Sequence, residues 1–448
     1  MKRLFLLKIF LVMIITFSVV YAQEEEECEK DQYLLVTGLI PGGAAETAGM
    51  KSGDIILSYN GQEVHCLKKL NILKEAVKTD SVEIVIKRGG EAISYMIAKG
   101  MIGVFLKELL PDIEFAKDAV VIKGIRPLDW NTGETSSFIA TLTRIAEYLD
   151  IGKDYTYLMG SSGSAFRIQF HEDWCPSSPD ATVGFDCGAT AMRSINVTPI
   201  YMFLDREEET NKEEIRQGIV KSIDEKMPVI AIDLIEVPEW GVIVGYQKSG
   251  KELLVRDYFD RRKGYDIAAR FPWVVVAVSQ KEGSIDDAEN FKNSLLIAEE
   301  LYETEKYESY YSGIAALEYW IKRLKEDDFS TLDDEQFENV VLANAWIYGR
   351  LADDRMFGAE YLKSFVLRLP HMKDKIMKLA SQYETVHELM TREEMVAPYP
   401  NQLEKRDDWS IEMRNKESEI LTEVLENEKE AYLLIKEINK GLSAKKEK

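Results

Sequence analysis

Thiol and imidazole chemistry has few carriers in this chain of 448 residues: four cysteines (Cys28, Cys66, Cys175, Cys187) and four histidines (His65, His171, His371, His387). His65 stands next to Cys66 in the N-terminal third; elsewhere, only the stretch from His171 to Cys187 brings both kinds close in sequence. Cys187 opens the run Asp186-Cys187-Gly188-Ala189-Thr190-Ala191-Met192, small residues that suit the start of a helix. A thiol at a helix N-terminus has a lowered pKa and can act as a nucleophile once a base takes its proton. His171 is the one histidine near enough in sequence to serve, so Cys187 and His171 are the candidate catalytic pair, for peptide hydrolysis or acyl transfer. Two other readings compete. Both thiols are small apolar side chains suited to burial, or Cys175 and Cys187 form a disulfide across a loop containing Pro176, Pro179 and Gly184, which removes Cys187 as a nucleophile. Gly160-Ser161-Ser162-Gly163-Ser164 misses the nucleophile elbow G-x-S-x-G by one position and reads as a flexible turn lining a pocket. His171-Glu172 and His387-Glu388 lack a second histidine at helical spacing. With no phosphate loop and no Cys/His zinc pattern, neither a cofactor nor a metal is expected.

The elements that must position such groups are legible between 111 and 283. Phe138, Leu142, Ile145 and Leu149 recur at helical spacing, and Ser136 and Ser137 offer hydroxyls to the free N–H groups of that helix start. Apolar runs at 228–235, 239–246 and 252–257 read as buried strands. Three pieces, the helix opening at Ser136-Ser137-Phe138-Ile139, the segment YLMGSSGSAFR with WCPSSP, and the strand pair EWGVIVGY and ELLVRDYF, resemble the papain-like, C39-peptidase-like fold. More narrowly they resemble the N-terminal domain of butirosin-biosynthesis acyltransferase-like proteins. That resemblance implies a Cys at the helix start, a His on a facing strand and an Asp or Asn orienting it. Here those positions hold Ser136, Glu239 and Asp257. A carboxylate of ordinary pKa hardly deprotonates a serine hydroxyl, so the resemblance implies a degenerate, non-catalytic member. Its cleft is expected to gather Ser136, Glu239, Asp257 and the Gly160–Ser164 turn, with Trp240 and Tyr246 as apolar walls. Glu239 and Asp257, if close, should repel and raise one pKa.

The N-terminal third has a different grammar. Leu34–Leu39 reads as a strand, Pro41-Gly42-Gly43 as a turn, and Ala44, Ala45 and Ala48 as a short helix stopped by Gly49. A second strand runs Ile55–Tyr59 into the tight turn Asn60-Gly61. The string IPGGAAETAGMKSGDIILSYNGQEV resembles the middle of a bacterial-type PDZ domain, which implies capture of extended peptides or protein C-termini by strand addition. Leu35 and Val36 on the first strand are its expected peptide-contacting residues. The glycine loop that grips a terminal carboxylate usually precedes that strand, where few residues remain. Met101-Ile102-Gly103-Val104-Phe105 can supply the edge from the other end, so Gly103 and Val104 join the list.

The formal net charge of −22 speaks against nucleic acid or anionic membrane as partners. Lys2, Arg3 and Lys8, the apolar run Ile9–Val20 and Ala22 read as a secretory signal. The mature chain is therefore expected to be exported, periplasmic or extracellular, with no stable membrane insertion after cleavage. The expected architecture is multidomain α+β: signal peptide 1–22, acidic leader 23–31, a β-sandwich-like PDZ domain 32–110, a papain-like α/β domain 111–283, and a C-terminal α-helical domain 284–448. Three functions follow: a peptide- or ligand-binding protein without catalysis, an enzyme using Cys187, or an assembly scaffold acting through the helices.

Overall fold

A computed structural model describes residues 28, 31–40, 42–393 and 395–443. The expected signal peptide and nearly all of the acidic leader lie outside the described residues. No helix among those described is long and apolar enough to cross a membrane. Contacts divide the chain into two units, one formed by the residues up to 115 together with 259–266, the other by 116–258 and 267 onward.

The first unit holds strands β1 (Tyr33–Leu39), β2 (Ile55–Tyr59), β3 (Gln62–Glu63), β4 (Ser81–Arg88), β5 (Glu91–Ala98) and β6 (Val104–Leu109), and helices α1 (Ala44–Ala48) and α2 (Leu67–Ala76). The sheet order is β5-β4-β2-β1-β6, with β3 paired to β2. Alternation sets the inner face: Val82, Ile84 and Ile86 of β4 are buried while Ser81 and Glu83 are exposed, as a half-buried strand requires. With Leu34, Val36, Ile56, Leu70 and Leu73 they form the core. Gly49 ends α1 at φ 96°, a conformation glycine adopts without a Cβ penalty. Asp54, 1% exposed, accepts from the Lys51 N–H at 2.8 Å and from Arg88 Nε at 2.6 Å. Burial raises its pKa, but these donors outweigh that and hold the carboxyl below its usual range.

The second unit is built on a largely antiparallel sheet. Its strands are β7 (Val120–Val121), β8 (Gln169–His171), β9 (Val197–Phe203), β10 (Val229–Ile232), β11 (Trp240–Gln247), β12 (Glu252–Arg256), β13 (Asp266–Ile267), β14 (Val274–Gln280), β15 (Lys306–Tyr307) and β16 (Tyr310–Ser312). The long strands run in the order β12-β11-β10-β14-β9. The helices are α3 (Ser137–Tyr148), α4 (Tyr155–Ser161), α5 (Cys187–Ser194), α6 (Lys212–Asp224), α7 (Asp287–Glu303), α8 (Gly313–Glu326), α9 (Asp334–Phe365), α10 (Lys373–Thr391) and α11 (Ile411–Ser443). Helix α3 is buried on nearly every side. It lies against β11, with Phe138 edge-on to Trp240 at 5.0 Å between ring centroids and Thr141 Oγ1 donating to the Trp240 carbonyl at 3.1 Å.

The region after 283 is not purely helical. The short β15–β16 hairpin pairs with β8, Tyr310 opposite His171. Nor does it stand apart: it belongs to the same compact unit as the sheet. Arg355 of α9, fully buried, donates to the Ala165 carbonyl at 2.7 Å and pairs with Glu428 of α11 at 2.6 Å. Phe166 stacks on Tyr383 of α10 at 5.8 Å.

Candidate functional site

In the second unit the start of α3 and the start of β11 come together. Ser136 is the N-cap of α3, but its hydroxyl caps no backbone N–H; its own N–H donates to the Tyr155 hydroxyl at 2.8 Å. The neighbouring Ser137 hydroxyl hydrogen-bonds the Glu239 carboxyl. The β11–β12 register pairs Val242 with Arg256, which sets Asp257 opposite Gly241. A Cβ on Gly241 would stand 2.6 Å from the Arg256 carbonyl oxygen, 2.8 Å from Leu234 Cδ1 and 3.1 Å from Asp257 Oδ2, so the glycine makes room chiefly for the neighbouring strand. Ser137 and Glu239 thus meet where the start of α3 reaches β11, with Ser136 next to Ser137 in the chain and Asp257 following the adjacent strand β12.

The electrostatics differ in cause from the expectation. Burial pushes the Glu239 carboxyl up to about 7, against the pull of the Ser137 hydrogen bond, and Asp180 is an acidic neighbour that adds to the rise. A carboxyl so placed is about half-protonated near neutrality, and its ionised form is a stronger base than an ordinary glutamate. Sequence reasoning missed the residues that α9 brings to this place. Thr135 Oγ1 donates to Asp353 at 2.9 Å and receives Arg350 at 3.4 Å, and Arg350 pairs with Asp354 at 2.7 Å. Arg350 and Tyr399 both lie within electrostatic reach of Glu239. In the sequence Arg350, Asp353 and Asp354 look like ordinary surface charges of a helix; only Thr135, adjacent to Ser136, carried a local signal.

Of the expected wall residues, one lies elsewhere and the others are packed into the core. Tyr246 is at the other end of β11, seven residues and about 23 Å along the strand from Glu239, with its hydroxyl on Asp224 at 2.8 Å. Trp240 is buried in the core, its indole N–H on Asp180 at 2.7 Å. Gly160–Ser164 is no pocket-lining turn. Gly160 and Ser161 end α4, Ser164 starts a short 3-10 helix, and all five residues are buried. Ser161 and Ser194 hydroxyls meet at 2.9 Å and Ser162 Oγ donates to the Met159 carbonyl at 3.1 Å.

Cys187 and His171 are not brought together. Cys187 does begin α5 as expected, yet it is 0% exposed and burial pushes its thiol up to about 12. That is the opposite of activation. The His171 ring accepts from the Asp173 N–H at 3.0 Å and meets the Tyr310 ring edge-on at 4.7 Å; burial lowers its pKa. Cys175 and Cys187 are both free thiols, and the disulfide joins Cys28 to Cys66 instead, Cα atoms 5.9 Å apart.

The first unit presents a second candidate. Strand β1 is not an edge: it pairs with β2 on one side and along its length with β6 on the other. Leu35 and Val36 therefore have no open side for an added strand. The sheet ends in β5 on one side and β6 on the other, and β6 is the end strand beside β1. Ile40 N–H donates to the Gly103 carbonyl at 2.9 Å, while Val36, opposite Leu106, gives its N–H to the Asp54 carbonyl and takes the Gly53 N–H on its own carbonyl, both away from β6. Alternation along β6 then turns the N–H groups of Val104, Leu106 and Glu108 outward. Before β6, Gly100 at φ 123° and Gly103 at φ 80° bend the chain. Gly103 passes so close to Gly43 that a Cβ would lie 3.2 Å from its Cα. Among the described residues nothing accepts from the N–H groups of Met101, Ile102 and Gly103, and Ile102 is 3% exposed. Backbone amides left without a protein acceptor are donors that a carboxylate can use. Helix α2 is tied to the far end of β6, its Leu67 N–H donating to Glu108 Oε1 at 2.5 Å. Ile72 on α2 and Phe105 on β6 are exposed apolar residues.

No curated protein matches the chain. A family model described as PDZ domain matches residues 35–88, which cover β1 to β4 with both helices of the first unit. Residues 35–88 are a PDZ domain.

Proposed function

We propose that this is an exported peptide-binding protein. Its PDZ domain takes the C-terminal segment of another polypeptide as an added strand on the outer edge of β6, with the terminal carboxylate on the amides of Met101, Ile102 and Gly103. The observation that carries this reading is the row of unpaired N–H groups that begins in that loop and continues along an unpartnered strand edge. The order is permuted: the gripping loop and edge come last in the domain. A disulfide between Cys28 and Cys66 suits an oxidising compartment and supports the reading of residues 1–22 as a secretory signal.

The second unit is, on this proposal, a degenerate papain-like domain that binds without catalysis. The Ser137–Glu239 hydrogen bond at the start of α3 supports this reading, which takes Ser136, Glu239 and Asp257 as the counterparts of nucleophile, base and orienting residue. The test is a library of free C-terminal peptides applied to the full chain, read by fluorescence polarisation. Selected sequences should bind and should lose affinity when their C-termini are amidated. Absence of any binder, or indifference to amidation, would overturn the carboxylate-gripping proposal.

A further inference from the structure

We infer that Cys28, His65 and Cys66 form a binding site for a thiophilic d10 cation, Zn2+ being the probe, when the two thiols are reduced, and that this state and the Cys28–Cys66 disulfide exclude one another. The Sγ atoms of Cys28 and Cys66 and a ring nitrogen of His65 all lie within 4.8 Å of one another. Two sulfurs and an imidazole are the donor set that thiophilic cations select over oxygen ligands.

The surroundings favour the thiolate. Cys66 is the N-cap of α2, a helix of 10 residues, and its Sγ accepts the Lys69 N–H at 3.4 Å. A helix N-terminus stabilises negative charge on sulfur. His65 is exposed, and no described residue hydrogen-bonds its ring. Cys28 is half-buried, so water can reach a fourth position. The Cα separation of 5.9 Å suits a disulfide. It also suits two thiolates on one tetrahedral ion, whose sulfurs stand about 3.8 Å apart for a metal–sulfur bond of about 2.3 Å. Cys175 and Cys187 are free but belong to no such cluster among the described residues.

Exchange between the states balances against a small-molecule disulfide. The two zinc-bound thiolates lose two electrons and form the Cys28–Cys66 bond. The disulfide's own S–S bond breaks to give two thiolates, and Zn2+ leaves with its charge unchanged. The reverse needs a thiol reductant and free Zn2+.

The experiment uses the full chain, reduced with a phosphine and exchanged into oxygen-free buffer. Co2+ should bind at one equivalent, with sulfur-to-metal charge-transfer absorption in the near ultraviolet, and Zn2+ should displace it. Cys28→Ser and Cys66→Ser should each abolish that band; serine is itself a good N-cap, so Cys66→Ser keeps α2 capped. His65→Ala should weaken binding by at least roughly tenfold, the scale seen even for outer-sphere partners. Oxidised glutathione added to the Zn2+ form should release one Zn2+ as two thiols disappear. A reduced chain without the band, a band that survives in Cys28→Ser or Cys66→Ser, or a His65→Ala variant that binds as tightly as the parent would each overturn the proposal.

Discussion

A buried carboxyl whose nearest partner is a hydroxyl prefers to keep its proton, and Glu239 is such a group. Its folded pKa, about 7, lies above that of an unfolded glutamate. Below about pH 4.5 it is protonated in both states and costs nothing. As pH rises through the interval up to about 7, the folded chain binds more protons than the unfolded one, and stability falls. Above that the full penalty applies. Glu239→Gln removes it: the variant should be more stable than the parent at pH 8, by up to about 3 kcal/mol, and nearly equal to it at pH 4.5. Denaturant unfolding at the two pH values reads this directly; a variant less stable at pH 8 would show that the charged carboxylate is favoured. The position was legible in the sequence, because the order of helix and strands located it. The cause of its shift was not, since Asp257 was the neighbour expected to raise it and burial supplies most of the rise. Cys187 shows the same boundary: its place at a helix start could be read, but its depth could not. Iodoacetamide at pH 8 should leave Cys187 unmodified in the folded chain and label it once the chain is unfolded.

Among the elements, Gly160 shows how composition misleads. A Gly-Ser-Ser-Gly run reads as a flexible turn when only local chemistry is considered. Here Gly160 lies inside α4, and another helix presses on it. A Cβ on Gly160 would lie 2.0 Å from the Tyr361 ring of α9. Gly160→Ala should therefore destabilise the second unit by about 3 kcal/mol or more, at or above the usual cost of overpacking. Adding Tyr361→Leu should recover part of that loss, a coupling that thermal unfolding of the single and double variants measures. If the two effects simply add, the close approach is not what selects glycine. The PDZ strands were far more legible. Their turn residues and their two-residue alternation are local, so β1 and β2 fall near their expected bounds. What could not be read was which strand lies at the edge. That depends on β6 returning to β1 across more than sixty residues, and it moves the proposed peptide edge from Leu35 and Val36 to β6, with Gly103 and Val104 at its start.

Across the whole molecule, the residues after 283 are structural partners of the sheet and not a separate module. Arg355 is fully buried, satisfied by Glu428 and by carbonyls of residues 165–167. Neither group can be left alone in a core without a large desolvation cost. A fragment of residues 116–283 should accordingly lack fixed tertiary structure, seen as loss of near-ultraviolet circular dichroism with retained far-ultraviolet signal; a native-like near-ultraviolet spectrum would contradict this. The contribution of α9 to the Glu239 cluster was hidden for the same reason. Thr135 and Asp353 are 218 residues apart, and no local pattern joins them.

The central claim is the peptide edge on β6, and hydrogen exchange of the full chain with and without a selected free C-terminal peptide tests it most directly. The account predicts new protection at the amides of Met101, Ile102 and Gly103 and at alternate β6 positions Val104, Leu106 and Glu108. Leu106→Pro, which removes one outward N–H at an edge position that tolerates proline, should weaken binding about tenfold or more beyond Leu106→Ala, as loss of a buried hydrogen bond to the ligand implies. Protection on β5 instead, or a Leu106→Pro variant that binds like Leu106→Ala, would contradict it.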